Sequence, residues 1–405
     1  MALHRAVLKK SLPPGLPPRG SLQPRSGGGG RSGRKKDYSP LPWSDFFDTH
    51  QDVRAGANSF RVYLKGSGGP VLLLLHGGGH SALSWAVFSV SVSKLVECRI
   101  AAMDIRGHGY TATENDTDLS ASTLLSDVQT VADSLYRDES PPIVLMGHSM
   151  GGAIAVHVAA KLTIPSLIGL AVIDVVEGTA MDSLGANHAF LNNRPSSFRS
   201  LEHAIEWSIR SGQLRNVQSA RVSVPGQVMK SNGVGSDSVI SPDESVDSER
   251  HSKATSRVSL LTTPPIAEEG EGSGGGRDDE EVRRDKDDHE SVSKSEIKEL
   301  YVWRIDLAKT DPFWRGWFSG LTQLFLSCPL PKILILAGVD RLDKEMTIAH
   351  MQGKFQMQVL SGCGHAVHED VPDKVAEIVA GYLVRHRFSE AKEDFKSLFP
   401  GLKFP

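Results

Sequence analysis

The residues Gly147-His148-Ser149-Met150-Gly151 end the apolar run Pro142-Ile143-Val144-Leu145-Met146 and open an alanine-rich stretch. A strand that breaks at a serine and turns straight into a helix is a nucleophile elbow. Glycines two positions to either side give the room that a strained strand-to-helix turn needs. The turn aims the Ser149 hydroxyl outward and leaves the Met150 N–H at a helix N-terminus, where it can stabilise an oxyanion. The chemistry this implies is nucleophilic attack on an ester or related acyl carbon. His148 adjoins the nucleophile on the turn and is expected to point elsewhere.

The partners of such a serine are found at three further places. Val71-Leu72-Leu73-Leu74-Leu75 reads as a strand buried on both faces, and it ends in His76-Gly77-Gly78-Gly79. Glycines there let backbone approach a tetrahedral intermediate, so Gly78 or Gly79 is expected to supply the second oxyanion donor beside Met150. Asp104, Arg106 and His108, in the turn after the strand Arg99-Ile100-Ala101-Ala102-Met103, are expected to brace that turn by hydrogen bonds. Near the C-terminus, Phe355-Gln356-Met357-Gln358-Val359-Leu360 leads to Gly362-Cys363-Gly364-His365, a histidine in a glycine-flanked loop before an amphipathic helix. His365 is the expected general base, and His368 is expected to cap or brace the helix start. For the acid two aspartates end strands at suitable places: Asp174 after Leu167-Ile168-Gly169-Leu170-Ala171-Val172-Ile173, and Asp340 after Pro331-Lys332-Ile333-Leu334-Ile335-Leu336-Ala337-Gly338. Either satisfies the chain order serine, aspartate, histidine.

These apolar runs alternate with helical segments and belong to one sheet. The fold class is therefore α/β: the α/β-hydrolase fold, a mostly parallel, doubly wound sheet with a helical cap inserted after the strand ending at Asp174. Several longer stretches are more specific: 61–85, Ile173-Asp174-Val175-Val176-Glu177-Gly178-Thr179-Ala180-Met181, Phe190-Leu191-Asn192-Asn193-Arg194-Pro195, Trp303-Arg304-Ile305-Asp306-Leu307, and the run from Leu336 to Asp370. On these the chain resembles the protein phosphatase methylesterases, over about residues 38–221 and 300–388. That family removes the C-terminal methyl ester from the catalytic subunit of protein phosphatase 2A. The resemblance implies a catalytic set of Ser149, Asp174 and His365, with Asp340 the alternative acid, and no metal or organic cofactor. It also implies one main partner, the methylated tail of the phosphatase 2A catalytic subunit, alone or within its holoenzymes. Serine at the elbow does not itself identify the ester. A small-molecule esterase and a non-catalytic phosphatase-binding inhibitor are the competing readings.

With 405 residues, the chain exceeds one compact core, and composition shows where the excess lies. Residues 1–37 are basic and rich in Pro and Gly and should form a solvated tail. The hydrolase core is expected at 38–177 and 331–390, the cap at 178–330, and a C-terminal tail at 391–405. Within the cap, about 223–298 is rich in Ser, Gly and charge and should be a disordered acidic loop. Trp303, Trp314 and Trp317 gather in the second part of the cap, either to bury it or to line a peptide cleft. With 45 basic against 48 acidic residues, charge predicts neither nucleic-acid nor membrane partners. Three cysteines are too few for a disulfide framework. The expectation is a soluble monomer of the cytoplasm, the nucleus or both.

Overall fold

The computed structural model describes residues 36–182, 194–231 and 300–398. Eight strands form the main sheet: β1 Thr49–Ala55, β2 Asn58–Lys65, β3 Val71–Leu75, β4 Arg99–Met103, β5 Ile143–His148, β6 Leu167–Ile173, and, beyond the cap, β10 Lys332–Leu336 and β11 Gln356–Val359. Their order is β1-β2-β4-β3-β5-β6-β10-β11. The first two strands pair antiparallel with their neighbours, and the rest are parallel.

The central strands are uniformly apolar because both of their faces are covered. All five residues of β3 are buried, with Leu73 and Leu75 in the core on one face of the sheet and Leu72 and Leu74 in the core on the other. Each such leucine contributes roughly 1.5–3 kcal/mol relative to exposure. On the first face lie α2, Ala121–Tyr136, and α3, Met150–Lys161; α1, Ala86–Leu95, and the helix Pro372–Arg385 pack on the second. The registers decide where chemistry can occur. Pairing of Leu75 with Gly147 and of His148 with Ile173 brings the ends of β3, β5 and β6 level. Gly77, Ser149 and Asp174 then emerge side by side at the carboxyl edge of the sheet.

Three expectations need correction. The cap is not purely helical: β7 Ser197–Phe198, β8 Val228–Lys230 and β9 Tyr301–Trp303 form a small antiparallel sheet in the order β7-β9-β8. The acidic loop does not begin at Ser223. That residue ends the helix Val217–Ser223, and Val224 and Val228 are buried, so structure continues through β8. A polar average over the region hides so short an apolar strand. The stretch after 390 is not wholly a tail, because Glu393–Leu398 is helical and buries Phe395. The N-terminal segment 1–35, residues 183–193 and the loop 232–299 lie outside the described residues. Among the described residues no helix is long and apolar enough to cross a membrane.

Candidate active site

Ser149 has φ 52° and ψ −119°, a conformation that side chains adopt only where the surroundings enforce it. Backbone contact on both sides enforces it here. A Cβ on Gly147 would stand 2.2 Å from the Gly151 carbonyl oxygen, and one on Gly151 would stand 2.4 Å from the carbonyl oxygen of His76. The elbow is wedged between the start of α3 and the end of β3, so the glycine spacing is a steric requirement.

His365 Nε2 lies 2.9 Å from Ser149 Oγ, and its Nδ1 lies 2.7 Å from Asp174 Oδ2. A carboxylate can only accept, so Nδ1 carries the proton and Nε2 is left as the acceptor for the serine hydroxyl. This tautomer is the one a general base needs. Asp174 is buried, with φ 53°, and its other interactions hold it in place. Ala337 N–H donates to Oδ1 at 2.9 Å, and Arg341 Nη1 donates to Oδ2 at 2.9 Å. Of the two candidate acids, Asp174 therefore meets the histidine, while Asp340 is exposed on the turn Val339–Arg341 and does not.

The glycine loop offers one donor where the sequence left two. Gly79 N–H donates to His108 Nε2 at 3.0 Å, so it is occupied. Among the described residues no hydrogen bond engages Gly78 N–H. Met150, first in α3, has no acceptor within its helix. These two N–H groups, one on the loop after β3 and one directly after Ser149, are thus left without a partner among the described residues. His76 braces the loop by accepting from Ile105 N–H and donating to the Gly77 carbonyl. Asp104 accepts from Ala82 and Tyr110 N–H, and Arg106 forms a two-pronged pair with Asp127, so this turn is structural, as its sequence suggests.

Two further histidines pack behind the site. His148 does turn away from the hydroxyl, but it is not idle there. Its Nε2 donates to the His365 carbonyl at 2.8 Å and so ties the base loop to the elbow. Burial, reinforced by neighbouring His368 and His365, holds its pKa well below the usual histidine value. His368 caps nothing. It is buried, packed at a tilt against the rings of Trp85 and His148, with neither ring nitrogen hydrogen-bonded. Cys363 is buried and its pKa is raised by desolvation, which disfavours a thiolate. The three tryptophans divide: Trp314 and Trp317 are core, each donating its indole N–H at 2.7 Å, while Trp303 is half-buried in the cap. Sequence reasoning missed Arg341, although it stands one residue past a strand-end aspartate, where charged side chains face the site.

Comparison with known proteins gives the family. Residues 72–378 match the model of the Alpha/beta hydrolase family. Protein phosphatase methylesterase 1 of Mus musculus is 52% identical over 410 residues, covering 99% of each chain. The probable protein phosphatase methylesterase 1 of Caenorhabditis elegans is 40% identical, covering 89% of this chain and 82% of its own. Among solved structures, that of E-2-(acetamidomethylene)succinate hydrolase aligns with a TM-score of 0.56 at 17% identity, over 83% of this chain and 98% of that one, a likeness of fold alone. The chain thus belongs to the α/β-hydrolases and, within them, to the protein phosphatase methylesterase 1 family.

Proposed function

We propose that this protein is a serine carboxylesterase that hydrolyses the methyl ester on the C-terminal leucine of the protein phosphatase 2A catalytic subunit, releasing methanol. The observation that carries the chemistry is the continuous hydrogen-bonded line from Ser149 Oγ through His365 to Asp174 beside two unengaged N–H groups. The names of the relatives, which are this similar over nearly their whole length, support a methyl ester of a protein phosphatase as substrate; the C-terminal leucine of the 2A catalytic subunit is what the sequence resemblance implies.

Ser149 Oγ attacks the ester carbonyl carbon as His365 Nε2 takes the hydroxyl proton. The carbonyl oxygen becomes an oxyanion between the N–H groups of Gly78 and Met150. Its collapse breaks the acyl–oxygen bond, and His365 returns the proton to the departing methoxide as methanol. Water then enters, gives a proton to His365 and attacks the acyl-serine. The second collapse frees the leucine carboxylate and restores the serine hydroxyl. Throughout, Asp174 accepts from His365 Nδ1–H and holds the imidazolium in place. An oxyanion donor is worth about 2.7–4 kcal/mol of barrier in sites of this kind.

The test compares three substrates: methylated phosphatase catalytic subunit, its methylated tail as a peptide, and a small acyl ester. Methanol release from the phosphatase or its tail at a kcat/KM well above that of the small ester is the expected result. Turnover of the small ester alone would replace this reading with a small-molecule esterase. A stable complex with the phosphatase and no turnover of any ester would leave a binding protein.

A further inference from the structure

The cap holds a charged group that the reaction above does not use. Arg194 lines a recess of about 430 Å³ together with Pro195, Trp303, Ile305, Asp306 and Leu307. Its guanidinium carbon lies over the Trp303 ring, 3.7 Å from the ring centre. The indole is itself fixed: its N–H donates to the Pro195 carbonyl at 2.8 Å, and its rings pack edge-on against Phe198 and Trp207. Arg194 Nε is buried with no hydrogen-bond partner, and no carboxylate pairs with the guanidinium among the described residues. Asp306, the acid in the same recess, is engaged elsewhere, accepting from Ala308 N–H and facing Lys309.

An arginine in this state is unusual. Removing a guanidinium from water without a counter-charge is costly, which is why desolvation lowers its pKa to about 10. The buried Arg106 is matched by Asp127 on two atoms, whereas Arg304, whose Nε is likewise buried without a hydrogen-bond partner, has its guanidinium over the Tyr110 ring. The recess also lies next to the chemistry. Leu307 closes its inner end and stands so near the oxyanion loop that a Cβ on Gly79 would come 2.8 Å from it.

We infer that Arg194, backed by Trp303, is a specificity subsite that takes an acidic side chain of the substrate peptide a short way before the ester. A carboxylate would meet the planar fork with two parallel hydrogen bonds and supply the missing charge; a neutral backbone carbonyl would supply neither in full. The inference rests on the proposed function for the position of the ester.

The experiment uses peptides ending in a methyl-esterified leucine, with one aspartate moved stepwise along the preceding residues and matched asparagine controls. Two quantities are read: kcat/KM for methanol release by the full chain, and the affinity of the Ser149→Ala protein for the same peptides. At one position aspartate is expected to exceed asparagine by about tenfold in both, weakening with salt. Arg194→Gln should erase that preference and Arg194→Lys keep part of it, while small-ester turnover stays within about twofold of wild type. Equal values for aspartate and asparagine at every position, or a preference that survives Arg194→Gln, overturns the subsite. A preference in binding without any hydrolysis would keep the subsite and sink the methylesterase reading, so the two failures are distinct.

Discussion

The two halves of the site are built by different means. Ser149 is held by backbone: β3, β5 and the start of α3 touch closely enough that Gly147 and Gly151 admit no side chain. His365 sits on a loop beyond β11 with its side chain 48% exposed, and it is oriented by the hydrogen bond its Nδ1–H donates to Asp174 and by the one its carbonyl accepts from His148. The lesson is that the nucleophile's position is a property of the fold, whereas the base's position is a property of a few polar contacts. Changes on the first side should cost stability, and changes on the second should cost rate.

The sharpest separation comes from the two strand-end aspartates. Asp174→Asn removes the acceptor that fixes the His365 tautomer and is expected to lower kcat about 10⁴-fold with little change in melting temperature. Asp340→Asn, on an exposed turn, should stay within about twofold, as steady-state kinetics on a small ester will register. The opposite outcome would make Asp340 the acid.

Gly151→Ala tests the backbone side. Its Cβ would meet the carbonyl oxygens of His76 and Leu75 at 2.4 and 2.5 Å, neither of which is a flexible side chain. A loss of roughly 3 kcal/mol in urea unfolding is expected. A variant that is equally stable but slow would mean that the elbow is held less tightly than the geometry implies.

The last effect is that of acid on the histidines packed behind the site. Burial lowers the pKa of His76, His148 and His368 well below the usual value, and that of His108 to about 4. The unfolded chain binds these protons first, below about pH 6.5, so their contribution is intact above that pH and is lost as pH falls. Each can take away up to about 1.4 kcal/mol per pH unit. Asp104 opposes them: burial raises its pKa to about 6, so its carboxyl gains relative stability as pH falls toward its unfolded value. Four histidines against that one aspartate predict a net loss between about pH 6.5 and 5, measurable by urea titration at several pH values. Constant stability across that range would contradict neutral, buried histidines.

Much of this was legible in the sequence wherever burial on both faces left a continuous apolar run. Strands β3, β5, β6 and β10, the elbow and the histidine loop are of that kind. Edge strand β1, exposed at most of its positions, carries no such mark, and β7, β8 and β9 are too short to stand out from the loops around them. Asp174 and Asp340 look alike because both follow apolar strands. What separates them is register, since pairing of His148 with Ile173 sets Asp174 level with Ser149. The unpaired state of Arg194 had no sequence signal at all, because a missing partner is a fact of tertiary packing.

The central claim is that Ser149 attacks a C-terminal methyl ester, and its most direct measurement is single-turnover methanol release from the methylated phosphatase tail, with wild-type and Ser149→Ala protein in excess. The account predicts a loss of at least about 10³-fold in the variant while tail binding persists. Retention of a tenth or more of the wild-type rate by Ser149→Ala would contradict it.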